Sequence, residues 1–206
     1  AKQTIGGNFN RKGYKLNSNV SYSFEDGSRA RLNGLYEPSG NTGLEIRSKT
    51  TNILDPVEWL TERNFGKWEV GGDYSRSLGF LGNLKTLFVV NNNTEDGLVN
   101  RFKGTGDQKF EYTMDITNVK RTEKIFRASL TKSLTQRQSI EIGGEGAFNH
   151  FDKRFDSSNR DIANDPLMIN NSDNVKIKEN RFEIFATHSY NISDKMVLQS
   201  SLTAEF

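Results

Sequence analysis

Between Arg181 and Phe206 apolar residues fall on every second position. Phe182, Ile184, Ala186, His188 and Tyr190 take the even numbers, and Arg181, Glu183, Phe185, Thr187 and Ser189 the odd ones. After a turn at Asn191-Ile192-Ser193-Asp194-Lys195 the phase resumes with Met196, Leu198, Ser200, Leu202, Ala204 and Phe206, opposite Val197, Gln199, Ser201, Thr203 and Glu205. Successive side chains of a strand point to opposite faces. A period of two therefore predicts a β-hairpin with one apolar and one largely polar face.

The same pattern recurs upstream. Gly13 to Phe24 alternates, turns at Glu25-Asp26-Gly27-Ser28, and runs back through Arg29 to Glu37; Asp-Gly is a strong hairpin signal. Pro38-Ser39-Gly40-Asn41 marks a bulge or bend before Leu44 to Arg47 resumes the alternation. Further strands are expected at Lys67–Ser77, at Leu84–Val90 after a turn at Leu78 to Asn83, within Lys109–Lys132, at Ile140–Phe148 after a turn at Ser133 to Gln136, and at Lys176–Tyr190. Three polar stretches read as long loops: Thr50–Gly66, with a short helical turn at Val57–Leu60, then Asn91–Asp107 and Phe151–Asn174. The fold class expected is all-β, an antiparallel up-and-down meander of about eight long strands, the layout of a transmembrane β-barrel wall. Short turns near Asp26, Gly79, Thr135 and Ser193 alternate with long excursions near Asp55, Glu95 and Asp161, as when one rim of a barrel is trimmed and the other elaborated.

Composition sharpens this picture. Apolar residues make up 33% of the 206 residues, against about 45–50% in ordinary globular domains. Yet 14 Phe, 6 Tyr and 18 Gly do not suit a disordered chain, which is poor in aromatics. A sheet in which every other residue is polar accounts for both. Basic and acidic residues number 28 and 26 with no concentrated basic stripe, which argues against nucleic acid as a partner. The absence of cysteine excludes disulfides and thiolate metal sites. No apolar run approaches the ~20 residues of a membrane helix, which leaves spanning by strands of about 9–11 residues open.

The even face is nearly free of charge, and Tyr22, Phe24, Tyr74 and Tyr190 gather near short turns like an interfacial girdle. The odd face mixes Arg29, Arg31, Glu69, Asp73, Lys85, Arg127, Glu141, Glu145, Arg181 and Glu183, which suits a wet or plugged lumen. Two alternatives remain at this point: a complete eight-stranded outer-membrane barrel with an adhesin or structural role, and a soluble sheet whose apolar face is covered by a second layer.

Lys67-Trp68-Glu69-Val70-Gly71-Gly72-Asp73-Tyr74 with Leu78-Gly79-Phe80-Leu81-Gly82-Asn83-Leu84-Lys85, and Glu179-Asn180-Arg181-Phe182-Glu183-Ile184-Phe185-Ala186 with Tyr190-Asn191-Ile192-Ser193-Asp194-Lys195, have the strand, short turn, strand layout of TonB-dependent outer-membrane receptors. Over essentially the whole chain the pattern resembles the barrel of that family. The resemblance implies localisation in the bacterial outer membrane and a part in taking up a siderophore, cobalamin, haem or an oligosaccharide. The partners it implies are membrane lipid, a plug domain, the remaining strands of a barrel of about 22, and TonB through the parent protein. Residues 1–206 are expected to be a single barrel segment, with neither plug domain nor signal peptide within that span.

Candidate chemistry is sparse. Trp59, Arg63, Phe65, Arg101, Phe102, Arg154, Phe155 and Arg160, basic and aromatic residues of the expected long loops, are candidates for contacting an anionic chelate or a sugar. His150 and His188 are expected toward opposite rims, too far apart for a shared metal site. The Asp152–Asn174 stretch carries Asp156, Asp161, Asp165 and Asp173 but lacks EF-hand spacing. Gly143-Gly144-Glu145-Gly146 lacks phosphate-loop spacing and fits a strand that another chain approaches closely. No nucleophile, base and orienting residue come together, so no catalytic, cofactor or metal residue is expected.

Overall fold

The computed structural model describes residues 3–49 and 52–206, and one antiparallel ten-stranded sheet takes in most of them. The strands are β1 (Gln3–Gly13), β2 (Leu16–Ser23), β3 (Arg29–Tyr36), β4 (Ser39–Lys49), β5 (Asn52–Ser77), β6 (Asn83–Lys103), β7 (Phe110–Ser133), β8 (Gln138–Asn159), β9 (Met168–Ser193) and β10 (Met196–Glu205). β1 pairs with β4 and β2 with β3, while β3 and β4 both lie along β5; from β5 onward each strand pairs with the next. Register runs through the breaks without slipping. Gly13 faces Ser39 and Leu16 faces Tyr36, so β1 and β2 are stretches of one strand. Tyr36 faces Trp68 and Ser39 faces Phe65, so β3 and β4 are stretches of another. At the break Pro38 has no N–H to give, but Glu37 and Lys67 exchange both backbone hydrogen bonds and the Pro38 carbonyl accepts from Tyr14. The ten strands thus read as eight long ones, in the up-and-down order the alternation predicts.

Every ladder pairs even residues with even and odd with odd, apart from bulges beside hairpin tips. Parity therefore marks one face across the whole sheet. Large apolar side chains left exposed stand mostly on even positions, among them Val20, Leu32, Phe126, Ile142, Ile184 and Leu202. The buried apolar residues Val119, Ala147 and Phe185 are all odd. The odd face is thus the concave, crowded one. No second layer covers the even face among the described residues, which is the arrangement a lipid-facing surface requires and a soluble sheet avoids.

The strands are far longer than a bilayer demands: β5 and β9 each span 26 residues and β7 spans 24. This overturns the three expected long loops. Val57–Gly66, including the expected helical turn at Val57–Leu60, lies in β5. Asn91–Lys103 belongs to β6, so Glu95 is a mid-strand residue facing Phe65. Phe151–Asn159 and Met168–Asn174 belong to β8 and β9, leaving a connection around Asp161. Residues 50 and 51, with which the first expected loop begins, lie outside the described residues. The cause is physical. Beyond the lipid band both faces meet water, the period-two contrast vanishes, and the backbone ladder continues without it.

The apolar band is legible strand by strand. On β8 it runs from Ile140 to Phe148 on even positions, followed by His150, Asp152, Arg154 and Asp156. From β2 to β10 its centre drifts along the register by about six residues in seven strand steps. With about 3.3 Å per residue and about 4.8 Å between strands this is a tilt of about 30°, close to that of membrane barrels, and nine residues at that tilt rise about 25 Å. Aromatic pairs edge the band: Tyr22 with Phe24 (centroids 4.8 Å apart) and Phe24 with Tyr74 (6.5 Å) at the short-turn rim, Tyr14 with Tyr36 (6.1 Å) and Phe148 with Phe182 (5.5 Å) at the other.

The β2–β3 turn shows how the short rim is built. The Phe24 carbonyl accepts from Gly27 N–H, Gly27 adopts φ 79°, and Ser28 N–H and Oγ–H donate to Asp26 Oδ1 at 3.0 and 2.6 Å. These bonds from Ser28, with Arg76 nearby, hold the Asp26 carboxyl below its usual range. Its ionised form supports the turn fully above about pH 4, and the support is lost as pH falls through the depressed value. Asp26→Asn is expected to abolish this acid-side step in an NMR titration of the Gly27 and Ser28 amides.

Gly143 answers to packing and not to phosphate. A Cβ there would stand 2.6 Å from the Ala128 carbonyl oxygen and against the Phe185 ring, which lies under the Arg127 guanidinium at 4.3 Å. Gly143→Ala is expected to cost about 1–3 kcal/mol, read by denaturant unfolding of the folded protein. The sheet itself is open among the described residues. β10 pairs only with β9, and the β1–β2 strand only with β3 and β4, so an eight-strand closure is not formed.

Candidate functional site

The odd face carries its charges in rows set by the register. Within the band, Ser21, Arg31, Asp73, Leu87, Arg127, Glu145, Glu183 and Glu205 follow one another across the strands. Arg31 Nε meets Asp73 at 2.9 Å, Arg127 meets Glu145 at 3.7 Å, and Arg181 reaches Glu145 at 3.5 Å and Glu205 at 3.9 Å. Cross-strand pairing with Arg31, Arg127 and Arg181 offsets part of the acidic charge of this level, where Glu145, Glu183 and Glu205 stand side by side.

Toward the long rim the balance changes. Lys15 meets Glu37 at 3.9 Å and Arg63 meets Glu95 at 3.8 Å. Arg11, Lys67 and Arg121, by contrast, have no carboxylate within ion-pair distance among the described residues, and all three line one hollow of about 630 Å³ together with Phe65 and the carboxylates Glu37 and Glu95. Arg121 has only the Phe151 ring, 5.4 Å from its guanidinium. Because Glu37 and Glu95 are engaged by Lys15 and Arg63, the three unpaired cations leave the hollow with a positive excess that attracts an anion.

Higher still, Trp59 stands in register between Glu45 and Arg101. The guanidiniums of Arg47 and Arg101 lie 3.9 and 4.7 Å from its ring centroid. Both are already neutralised, Arg47 by Glu45 and Arg101 by Asp115 at 2.7 Å, and Ser157 Oγ–H donates to Asp115 at 2.6 Å. The Trp59 Nε1–H is buried without an acceptor among the described residues. This cluster is a charge-paired clamp with one unused donor.

The eight residues expected in loops are thus placed differently. Trp59, Arg63 and Phe65 lie in β5, Arg101 and Phe102 in β6, and Arg154 and Phe155 in β8; Arg160 alone lies past a strand end. Trp59, Arg63, Phe65, Arg101 and Phe155 are odd and belong to the concave face. The structure brings Trp59 to Arg101, and sets Phe65 in the hollow. Phe102 instead meets Lys109, which reaches Glu58 at 2.6 Å. Arg154 binds Asp156 at 2.7 Å on the even face, and Arg160 donates to the carbonyls of Glu111 and Asp165. Arg11, Lys67 and Arg121 were not foreseen; their shared parity was readable, but the register that gathers them was not.

The oxygen-rich stretch from Asp152 to Asn174 is not a continuous loop. Asp152 sits in β8 against Lys176, Asp156 accepts from Arg154 and from Ser172 Oγ at 2.6 Å, and Asp173 lies in β9. His150 and His188 share the even face at different heights on β8 and β9, and His150 Nδ1 is buried without a hydrogen-bond partner among the described residues.

A tilted antiparallel meander with an apolar convex face and a charged concave one is the wall of an outer-membrane type β-barrel. No protein-family model matches the sequence, and no curated protein does. Among solved structures the chain is similar to the ferric yersiniabactin uptake receptor FyuA from Yersinia pestis, with a TM-score of 0.57 and 12% identity over 94% of this chain and 28% of that one. It is also similar to the copper transporter OprC, with a TM-score of 0.50 and 12% identity over 98% of this chain and 36% of that one. At such identity the likeness is one of fold, and the chain spans roughly a third of each neighbour.

Proposed function

We propose that this chain forms part of the transmembrane wall of a TonB-dependent transporter in the bacterial outer membrane, serving uptake of a scarce nutrient by binding and passage without bond chemistry. The observation that supports this most is the division of the sheet: an apolar face left uncovered among the described residues, and opposite it a charged wall in which Arg11, Lys67 and Arg121 gather around one hollow without ion-pair partners. Of siderophore, cobalamin, haem and oligosaccharide, the free cations favour an anionic cargo such as a ferric chelate. In this reading a plug domain packs on the paired charges of the band, further strands pair with β10 and with the β1–β2 edge, and TonB acts through the parent protein. Unpaired strand edges are not sustained in hydrocarbon.

Accumulation of labelled ferric siderophores, cobalamin, haem and oligosaccharides, measured in cells with the encoding gene deleted and in TonB-deficient cells, tests the proposal. Loss of one cargo in both strains is expected. Unchanged accumulation of all four after deletion, with TonB-dependent uptake intact, contradicts it. The small closed barrel with an adhesin role requires β10 to pair with the β1–β2 strand, a ladder not made among the described residues.

A further inference from the structure

On the even face the apolar band of β7, β8 and β9 ends beside a group of lysines. Register sets Lys124 level with Phe148 and Asn180, Thr122 level with His150 and Lys178, and Lys120 level with Asp152 and Lys176. Lys120, Lys124, Lys176 and Lys178 are all exposed. The one carboxylate on this grid, Asp152, is taken by Lys176 at 3.6 Å. Lys120, Lys124 and Lys178 have no ion-pair partner among the described residues. At the same level on β5 and β6 the even positions are Gly66, Trp68, Asn92 and Thr94, none of them charged.

Nearer the rim the even face mixes signs, as Arg154 with Asp156 shows. The lysine excess is confined to the height at which the hydrocarbon-facing residues stop. With about 4.8 Å between strands and about 6.6 Å between alternate residues, the grid is about 10 Å wide and about 13 Å tall. That is the scale of a phosphorylated sugar headgroup. Immediately below, the Phe148 and Phe182 rings close over Gly146 and Ile184 stands against Gly144, which gives an apolar floor beneath the lysines.

We propose that this face of β7–β9 is a docking surface for the phosphorylated headgroup of an anionic membrane lipid, with the acyl chains on the apolar band beneath it. Lysines at this level extend their aliphatic stems along the band and hold their ammonium groups among the phosphates. The proposal rests on the even face meeting lipid.

The test uses the protein purified from membranes in neutral detergent, and diphosphorylated and dephosphorylated lipid A as probes. The protein is expected to bind the diphosphorylated form at least about tenfold more tightly. Joint replacement Lys120→Gln, Lys124→Gln, Lys176→Gln and Lys178→Gln is expected to erase that preference, and the same four positions changed to Arg to retain it. Circular dichroism and insertion into phosphatidylcholine vesicles report that both variants fold. Equal binding of the two lipids, a preference that survives the Gln replacements, or displacement by an equal concentration of inorganic phosphate overturns the proposal. Failure of the unmodified protein to insert into neutral vesicles overturns the lipid-facing reading, and this proposal with it.

Discussion

Ile184→Arg is expected to lower the stability of the protein in phospholipid vesicles by about 2–4 kcal/mol, the cost of arginine near the middle of a lipid-facing band. Ile184 is 59% exposed, and at such a site in water the exchange would fall within about 0.5 kcal/mol. The environment of the even face therefore decides the outcome. The comparison is Thr187→Arg on the odd face of the same strand, where Glu141 stands directly opposite. That replacement is expected to change stability by less than about 1 kcal/mol, since the new charge gains a cross-strand partner. Reversible denaturant unfolding in vesicles measures both; a neutral Ile184→Arg would place the even face in water.

Replacing Arg11, Lys67 and Arg121 together by Gln is expected to weaken binding of an anionic ferric chelate by about 10- to 100-fold. Hydrogen bonds to charged groups contribute about 1.5–3 kcal/mol each, and partial engagement of three yields that range. Affinity for a neutral cargo should stay within about twofold, and salt should weaken the chelate's binding to the unmodified protein more than to the variant. Arg31→Gln serves as control. It removes a cation already held by Asp73 at 2.9 Å, so chelate affinity should not move. Equal losses for charged and neutral cargo would mean that the hollow shapes the wall without reading charge.

Parity carried most of what could be read from the chain alone. Phe182 to Tyr190 and Met196 to Phe206 announced both faces of the last hairpin, and the structure keeps that phase through β2 to β10. The outer halves of the strands were hidden because Asn91, Asn92 and Asn93, or Asp152, Lys153 and Arg154, show no contrast between neighbours. A ladder of backbone hydrogen bonds needs no such contrast. The site was half legible for the same reason. Even numbering already set Phe102 and Arg154 apart from Trp59, Arg63 and Phe65. What no single stretch revealed is that Arg11 faces Asn41, which faces Arg63, while Lys67 faces Asn93, which faces Arg121. Only those registers, stacked across the strands, bring Arg11, Lys67 and Arg121 around one hollow.

The absence of cysteine makes single-cysteine spin labelling along β9 unambiguous, and this is the most direct test of the two-faced wall. Labels at positions 181 to 187, with the protein in phospholipid vesicles, would be read for collision with oxygen, which partitions into lipid, and with a water-soluble nickel chelate. The account predicts alternation. Positions 182, 184 and 186 should favour oxygen, and 181, 183, 185 and 187 should be shielded from it, with the exposed Arg181 the most open to nickel. Uniform accessibility, or nickel reaching the even positions as readily as the odd, would contradict a sheet that sets its even face against lipid.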